Sequence, residues 1–338
     1  LCAEGGGIWS IGAVTLIDST VSANSANFGG GVANRGDTLN VTDSIVSNNS
    51  AQGCVGPQAT SCSGGGGIWN SGTLTMSGNF LSGNVSDFGG AVYDRGVATL
   101  NDSTLTANSA DFDGGGVQSF GSMSILDCTF EDNDAGQSGA AVSVAGGTLG
   151  VQSSTLAGNR AAAAGGGVLI RADAAADFVN TTFSGNAAGT GGGIYSLGDV
   201  RLASCTVAGN ESSEGGSIYV SSSSLTRVVR NTVVEGSCGG VALESQGYNL
   251  ESPGDTCGFD QTGDQSDVAP GALNLGPLED NGGSTETRAL FANSVAIDQI
   301  PEAACVDLAG SELRDDQRAE PRPGADSSEC DVGAFEAQ

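Results

Sequence analysis

The side chains that could do chemistry in this 338-residue chain are 39 acidic residues, 11 arginines and nine cysteines, with no lysine and no histidine. Without histidine, a Ser-His-Asp triad and a histidine-ligated zinc site are excluded. Without lysine, a P-loop and a Schiff base are excluded. The chemistry that remains is that of carboxylates, which bind Ca²⁺ or act in pairs on glycosidic bonds, and that of thiols, which form disulfides.

Two groups of carboxylates are candidates for a cation site. Asp111 lies near Asp113, and Glu131 and Asp132 lie near Asp134. Neither group has the ordered ligand spacing of a calcium loop, and turns commonly carry solvated carboxylates. We therefore predict no cofactor and no metal, with Ca²⁺ as the alternative.

The cysteines favour disulfides over a metal cluster, because no C-x-x-C pair occurs in a chain rich in Gly, Ser, Thr and Asn. Cys54 and Cys62 bracket an insertion and could close it. Two further pairs would pin the C-terminal region, each adding about 2 to 4 kcal/mol of stability. The predicted pairs are Cys54 with Cys62, Cys238 with Cys257, and Cys305 with Cys330.

The formal charge of −28 repels phosphate backbones and makes nucleic-acid binding untenable. No apolar run is long enough to span a bilayer. Together with the cysteines, this acidity predicts a secreted or cell-surface location.

A repeated phrase dominates the chain from residue 5 onward. Glycine-rich starts recur at steps of 24 to 26 residues, with one step of 36, at Gly5, Gly29, Gly65, Gly89, Gly114, Gly139, Gly165, Gly191, Gly215 and Gly239. An asparagine three residues after an apolar side chain keeps the same period, at Asn24, Asn49, Asn84, Asn108, Asn133, Asn159, Asn186 and Asn210.

The spacing inside the phrase predicts how it folds. Inward positions along a strand are two residues apart, so Leu16 and Val21, which are five apart, cannot both point inward from one strand. A corner must separate them, and each phrase becomes three short strands. Stacked phrases then form an all-β, single-stranded, right-handed parallel β-helix of about nine to ten rungs over residues 1–250, followed by a cap over residues 251–338.

Each periodic residue type then has a predicted role. Glycine triplets allow tight bends and close approach of adjacent rungs. The asparagines adopt the left-handed conformation of a turn and form a hydrogen-bonded ladder. Cys128 and Cys205 share a ladder position about 14 Å apart, beyond the disulfide limit of about 7 Å, and are predicted to be reduced.

Several of these phrases resemble known repeats. "GGAV" at 89–92, "FEDN" at 130–133 and "FSGN" at 183–186 resemble repeats of polymorphic outer-membrane adhesins. The motifs at 245–259, 276–290, 294–298, 316–323 and 330–336 resemble the terminal region of choice-of-anchor Q domain proteins. This resemblance implies a bacterial surface protein with a right-handed β-helix.

The function is predicted by comparing an enzyme with an adhesive and with a structural protein. Many β-helices are polysaccharide lyases or hydrolases, but the aromatic residues that could stack on sugars share one ladder position: Trp9, Trp69, Tyr93, Tyr195 and Tyr219. We predict a non-catalytic extracellular structural or adhesive protein. Its expected partners are other copies, stacked end to end through an uncovered first rung, and cell-wall or surface glycans. The alternative is a β-helix lyase, hydrolase or carbohydrate-binding module.

Overall fold

A parallel β-helix forms the body of the protein in the computed structural model, which describes residues 3–53, 63–222, 226–325 and 327–338. Within these residues, three parallel sheets have ten strands each and a fourth has eight. The chain visits sheets I, II and III in order on every turn, and strands of consecutive turns pair in register. The predicted fold class is confirmed.

Sheets I and II hold the first two strands of each turn. The strands of sheet I are Ile8–Ser10, Val32–Asn34, Ile68–Asn70, Val92–Asp94, Val117–Ser119, Val142–Val144, Val168–Ile170, Ile194–Ser196, Ile218–Val220 and Cys238–Gly240. Those of sheet II are Val14–Ile17, Thr38–Thr42, Thr73–Ser77, Val97–Asn101, Ser122–Leu126, Gly147–Gln152, Ala174–Val179, Asp199–Ala203, Arg227–Arg230 and Glu244–Ser245.

Sheets III and IV complete the turn. The strands of sheet III are Thr20–Ser22, Ile45–Ser47, Phe80–Ser82, Thr104–Thr106, Thr129–Glu131, Thr155–Ala157, Thr182–Ser184, Thr206–Ala208, Val233–Glu235 and Leu250–Ser252. Those of sheet IV are Ser25–Ala26, Ser50–Ala51, Val85–Ser86, Ser109–Ala110, Asp134–Ala135, Arg160–Ala161, Ala187–Thr190 and Glu211–Glu214.

Sheet IV was not predicted, because three strands per phrase were expected. Most of its strands have two residues, an outward one followed by a small inward one such as Ala26 or Ala51. The signal was the polar–small pair after most of the ladder asparagines, which is too short to show a period.

Single left-handed residues make two of the corners. Between sheets II and III the pivot is a residue such as Asp18, with φ 45°, or Asp102, with φ 46°. Between sheets III and IV it is the residue directly before the ladder asparagine, such as Ala107, with φ 52°. The prediction that the asparagines themselves are left-handed is therefore wrong. Their side-chain amides hydrogen-bond to the asparagine of the next turn. The residue before each asparagine adopts the left-handed conformation that turns the chain.

Inward side chains of sheets I to III fill one continuous apolar core. Phe130, Phe178 and Phe183 are among its largest fully buried members. Phe178 and Phe183, five residues apart on either side of a corner, meet edge to face with ring centroids 5.1 Å apart. This contact confirms that a corner separates the two apolar sites of a phrase.

The glycine triplets hold adjacent turns close together. The first glycine of nearly every glycine-rich start is left-handed, as at Gly89 of Gly89-Gly90-Ala91, where φ is 60°. At the second, a Cβ would meet the backbone of the next turn: on Gly90 it would lie 2.1 Å from the carbonyl oxygen of Gly115. Both predicted roles of glycine are confirmed.

The C-terminal end of the β-helix is covered by the chain that follows it. Leu243 donates to the carbonyl oxygen of Cys257, and Glu251 donates to that of Gln265. Phe259 is buried with the core of the β-helix. Segment 257–268 therefore occupies backbone groups that would otherwise form an open strand edge.

The rest of the C-terminal region lies along the flank of the β-helix, over the outer face of sheet III. Its regular elements are the strands Leu275–Glu279, Thr287–Leu290, Ile300–Pro301 and Glu329–Cys330 and the short 3-10 helix Glu302–Ala304. Gln317 accepts a hydrogen bond from Thr182 Oγ1 at 2.7 Å and donates to Thr155 Oγ1 at 2.8 Å. Ala334 N donates to Thr206 Oγ1 at 3.0 Å. The region thus binds one threonine on each of three turns.

Candidate functional site

The asparagine ladder is continuous from Asn24 to Asn210, as predicted. At Asn133, Oδ1 accepts the backbone and side-chain N–H groups of Asn108 at 3.1 and 3.0 Å. Its Nδ2 donates to Asn159 Oδ1 and to the carbonyl oxygen of Leu105, both at 2.9 Å. The backbone N–H of Asn133 donates to the same Asn159 oxygen at 3.0 Å. All its polar groups are paired, and the ladder locks the turns in register.

A second ladder runs along the corner between sheets II and III. Side chains there accept the backbone N–H of the equivalent residue one turn earlier: Ser44 accepts from Ser19, Asn79 from Ser44 and Ser154 from Cys128. The sequence marked these positions only as small. Their hydrogen-bonding role requires knowing that turns are in register.

A third ladder, at the end of the sheet I strands, contains a buried carboxylate. Asn34 Nδ2 donates to Asn70 Oδ1 at 2.7 Å, and Asn70 Nδ2 donates to Asp94 Oδ1 at 2.6 Å. Burial raises the pKa of Asp94 above its usual range, although the hydrogen bond from Asn70 opposes the shift. Sequence reasoning missed this ladder, whose signal was a polar residue at the end of each of the first five strands of sheet I.

Two disulfides are present in the described residues, and both are predicted pairs. Cys238–Cys257 ties the last strand of sheet I to the covering segment, with a Cα–Cα distance of 4.8 Å. Cys305–Cys330 lies inside the flanking region, with a Cα–Cα distance of 6.3 Å. The predicted Cys54–Cys62 pair lies outside the described residues.

Cys128 and Cys205 are buried and reduced, which confirms the prediction. Burial raises the pKa of each thiol to about 12. The thiolate form is therefore negligible near neutral pH, and both cysteines act as small apolar residues.

The carboxylates considered as Ca²⁺ ligands lie in different environments. Asp113 is buried and forms an ion pair with Arg171, whereas Asp111, Glu131 and Asp134 are solvent-exposed or partly so. In the described ranges, no three acidic or cysteine side chains form a group that could hold a metal ion.

Buried charges hold the C-terminal region together. The Arg322 guanidinium donates to the carbonyl oxygens of Asp331 and Gly333 and lies 3.5 Å from the Glu336 carboxylate. Glu336 also accepts the N–H groups of Gly324 and Asp331. Burial raises the pKa of Glu336 to about 7, against the opposing charge of Arg322. All of these residues except Gly324 come from the motifs at 316–323 and 330–336, and the cluster gives those motifs a packing role.

Glu336 makes stability depend on pH. Its pKa is higher in the folded state than in the unfolded state. The stabilisation that protonation of Glu336 contributes is therefore fully present below the unfolded pKa of about 4.5 and is lost as pH rises through about 7. We expect the free energy of unfolding to be about 2 kcal/mol lower at pH 8 than at pH 5, measured by urea denaturation. In Glu336→Gln the dependence of the free energy of unfolding on pH should be weaker. Some dependence should remain because of Asp331, whose pKa is also raised by burial. An equal dependence in the variant would contradict this assignment.

The outer face of sheet II is uncharged over the first six turns, in a protein of charge −28. Its outward side chains are hydroxyl, amide or apolar, with one glycine, and all are exposed or half-buried. We call this surface the uncharged face. Its residues are Thr15, Ile17, Thr38, Asn40, Thr42, Thr73, Thr75, Ser77, Val97, Thr99, Asn101, Ser122, Ser124, Leu126, Thr148, Gly150 and Gln152.

Acidic residues border the uncharged face. The corner toward sheet III carries Asp18, Asp43, Asp102 and Asp127 on successive or nearby turns. Burial, and then the charge of Asp102, raise the pKa of Asp127. A ligand on the uncharged face therefore lies beside a row of negative charges, which disfavours an anionic ligand.

A groove continues the uncharged face toward the C-terminal end. It has a volume of about 350 Å³ and lies between sheet II and the segment Asp307–Ala309 of the flanking region. Arg230 holds that segment by donating to the carbonyl oxygen of Asp307 at 3.0 Å. The floor includes Gly150 and the ion pair of Asp177 with Arg201, which lie in the central row of sheet II.

The aromatic residues lie in one row on sheet I, as predicted. Tyr195 and Tyr219 stack with ring centroids 5.2 Å apart and planes 9° apart. Smaller or polar residues separate them from Trp69 and Tyr93. The row therefore does not form one continuous aromatic platform.

The fold and its ladders define a β-helix repeat protein. A family model described as the right-handed β-helix region matches residues 116–256. Comparisons with curated proteins and with solved structures found no match. In the part of the chain that the structure describes, no helix has the length and apolar character needed to cross a bilayer.

Proposed function

We propose that this protein is a non-catalytic structural or adhesive protein of an extracellular surface, and that the uncharged face is its adhesive surface. The observation that carries the proposal is the absence of charge from all outward positions of six turns of sheet II, in a chain with 39 acidic residues. An acidic protein relies on surface charge for solubility, so an uncharged face marks a place where another surface can approach. The disulfides and the acidity support an extracellular location.

The non-catalytic part of the proposal is supported by the groups in the groove. Arg201 Nε donates to Asp177 Oδ1 at 2.6 Å, and hydrogen bonding to Asp177 raises the pKa of Arg201 above its usual value. An arginine with a raised pKa is a poor general base for a lyase. Asp199 accepts the backbone N–H of Thr226 at 2.7 Å. The carboxylates near the groove are thus occupied by structural contacts.

The proposal includes membership of the choice-of-anchor Q surface proteins. The motif residues Gln317, Arg322 and Glu336 pack together or against sheet III, and this packing supports a shared C-terminal architecture. The C-terminal end of the β-helix does not offer an open edge for end-to-end stacking by strand addition, because segment 257–268 already pairs with the last turn.

Adhesion is tested with beads coated with the purified protein and washed over films of cellulose, chitin, polygalacturonate and collagen. We expect retention on at least one film, and its loss in the double variant Thr75→Glu/Thr99→Glu, which charges the uncharged face. The matched control Thr104→Glu/Thr129→Glu places the same charges on sheet III and should be retained. Absence of retention on every film, or equal retention of both variants, would overturn the adhesive function. Release of new chain ends from any glycan would overturn the non-catalytic part.

A further inference from the structure

We infer that the uncharged face and the groove form one linear binding surface for an extended, neutral polysaccharide, which lies parallel to the β-helix axis with one sugar unit per turn. This inference rests on the proposed adhesive function and names the ligand of that same surface.

The first argument is the period of the surface. The central row of sheet II presents one outward residue per turn, in register: Thr15, Asn40, Thr75, Thr99, Ser124, Gly150, Asp177 and Arg201. Adjacent strands lie about 4.8 Å apart, so this row repeats at nearly the length of one pyranose unit in an extended chain. A ligand with nearly that spacing contacts one more turn with each added sugar.

The second argument is the chemistry of the rows. Threonine and serine hydroxyls and asparagine amides both donate and accept hydrogen bonds, as sugar hydroxyls do. Ile17, Val97 and Leu126 are exposed on the two outer rows and offer apolar contact to the C–H faces of sugar rings. The bordering carboxylates, such as Asp102 and Asp127, repel uronic acids and other anionic sugars. The ligand class that fits is a neutral glycan.

The third argument is the shape of the groove. Gly150 has no atom within 4 Å of the place where a Cβ would lie, so the central row is open where the wall of segment 307–309 rises beside it. Next along the row, the Asp177–Arg201 pair is half-exposed and presents fixed donors and acceptors to the groove. A second cavity of about 230 Å³ continues along the same pair toward Asp199 and Thr226. The groove is thus open along the axis and walled at the side, as a linear chain requires.

The test is calorimetric titration of the full chain with β-1,4-linked glucose oligosaccharides, from the disaccharide to the hexasaccharide. The hexasaccharide should bind at least about tenfold more tightly than the disaccharide, because each added sugar contacts one more turn. Thr99→Glu should weaken hexasaccharide binding by about tenfold, and the matched variant Thr104→Glu on sheet III should leave it unchanged. Thermal melting of both variants verifies that they remain folded.

The opposite results are equally specific. Affinity that does not rise with chain length, equal loss in both variants, or equally tight binding of a hexagalacturonate would overturn the inference. If the coated beads adhere through the uncharged face but the β-1,4-linked glucose oligosaccharides do not bind, the adhesive function stands and the neutral-glycan ligand is wrong. If the beads adhere to nothing, the proposed function itself fails.

Discussion

Replacing Asn133 by leucine is expected to lower the free energy of unfolding by about 3 to 5 kcal/mol, because each buried polar group left unpaired costs about 1 to 3 kcal/mol. The substitution removes the acceptor of two N–H groups on Asn108 and the side-chain donor to Asn159 and to Leu105. These groups are enclosed by neighbouring turns and have no access to water. Urea denaturation followed by circular dichroism measures the loss.

The control for this variant is Asn40→Leu. Asn40 is also an asparagine, in the second turn, but it lies on the outer face of sheet II, where solvent can replace its contacts. It should change stability by less than about 0.5 kcal/mol. Equal effects of the two variants would show that the ladder contributes nothing beyond the general cost of replacing asparagine.

Gly90→Ala is expected to destabilise the β-helix by about 3 kcal/mol or more, because the added methyl group overlaps the next turn. Its Cβ would lie 2.1 Å from the carbonyl oxygen of Gly115 and 2.6 Å from that of Ser109, and both atoms belong to backbone that pairs with neighbouring turns. The strain comes from this approach alone, since the backbone of Gly90 is not left-handed. Melting temperature and urea midpoint report the effect.

Gly150→Ala makes the same chemical change in open space. A Cβ at Gly150 meets no atom within 4 Å, and removing a glycine from a strand reduces the entropy of the unfolded chain. This variant should be neutral or up to about 1 kcal/mol more stable. A stable Gly90→Ala protein would mean that the turns can move apart at the glycine-rich starts.

The repeat made most of the fold predictable. Leu16 and Val21 require a corner by parity, and the recurrence of Asn24 to Asn210 places one ladder on one corner, which the structure confirms. The pivot at residues such as Ala107 was missed because alanine gives no sign of a left-handed backbone. The ladder through Asp94 was missed because its members are chemically mixed.

The flanking region and the uncharged face could not be predicted for a different reason. Contacts such as that of Gln317 with Thr155 join residues far apart in sequence, and no periodic pattern connects them. The uncharged face is defined by the absence of charged side chains. It can be recognised only when the outward positions of sheet II are separated from the inward ones. Three of its side chains, Ile17, Val97 and Leu126, are apolar and look like core residues in the sequence.

The attachment of the C-terminal region to the flank also determines where a force applied to the last residues would act on the β-helix. Traction on the last residues reaches the β-helix through Gly333 and Ala334, which hydrogen-bond to Asn231 and Thr206, and through Gln317, which bonds to Thr182. The force therefore acts on the flank of the β-helix and is distributed over several turns. Peeling the final turn from the end would require these lateral bonds to rupture together first, so a pull on the last residues loads them in shear.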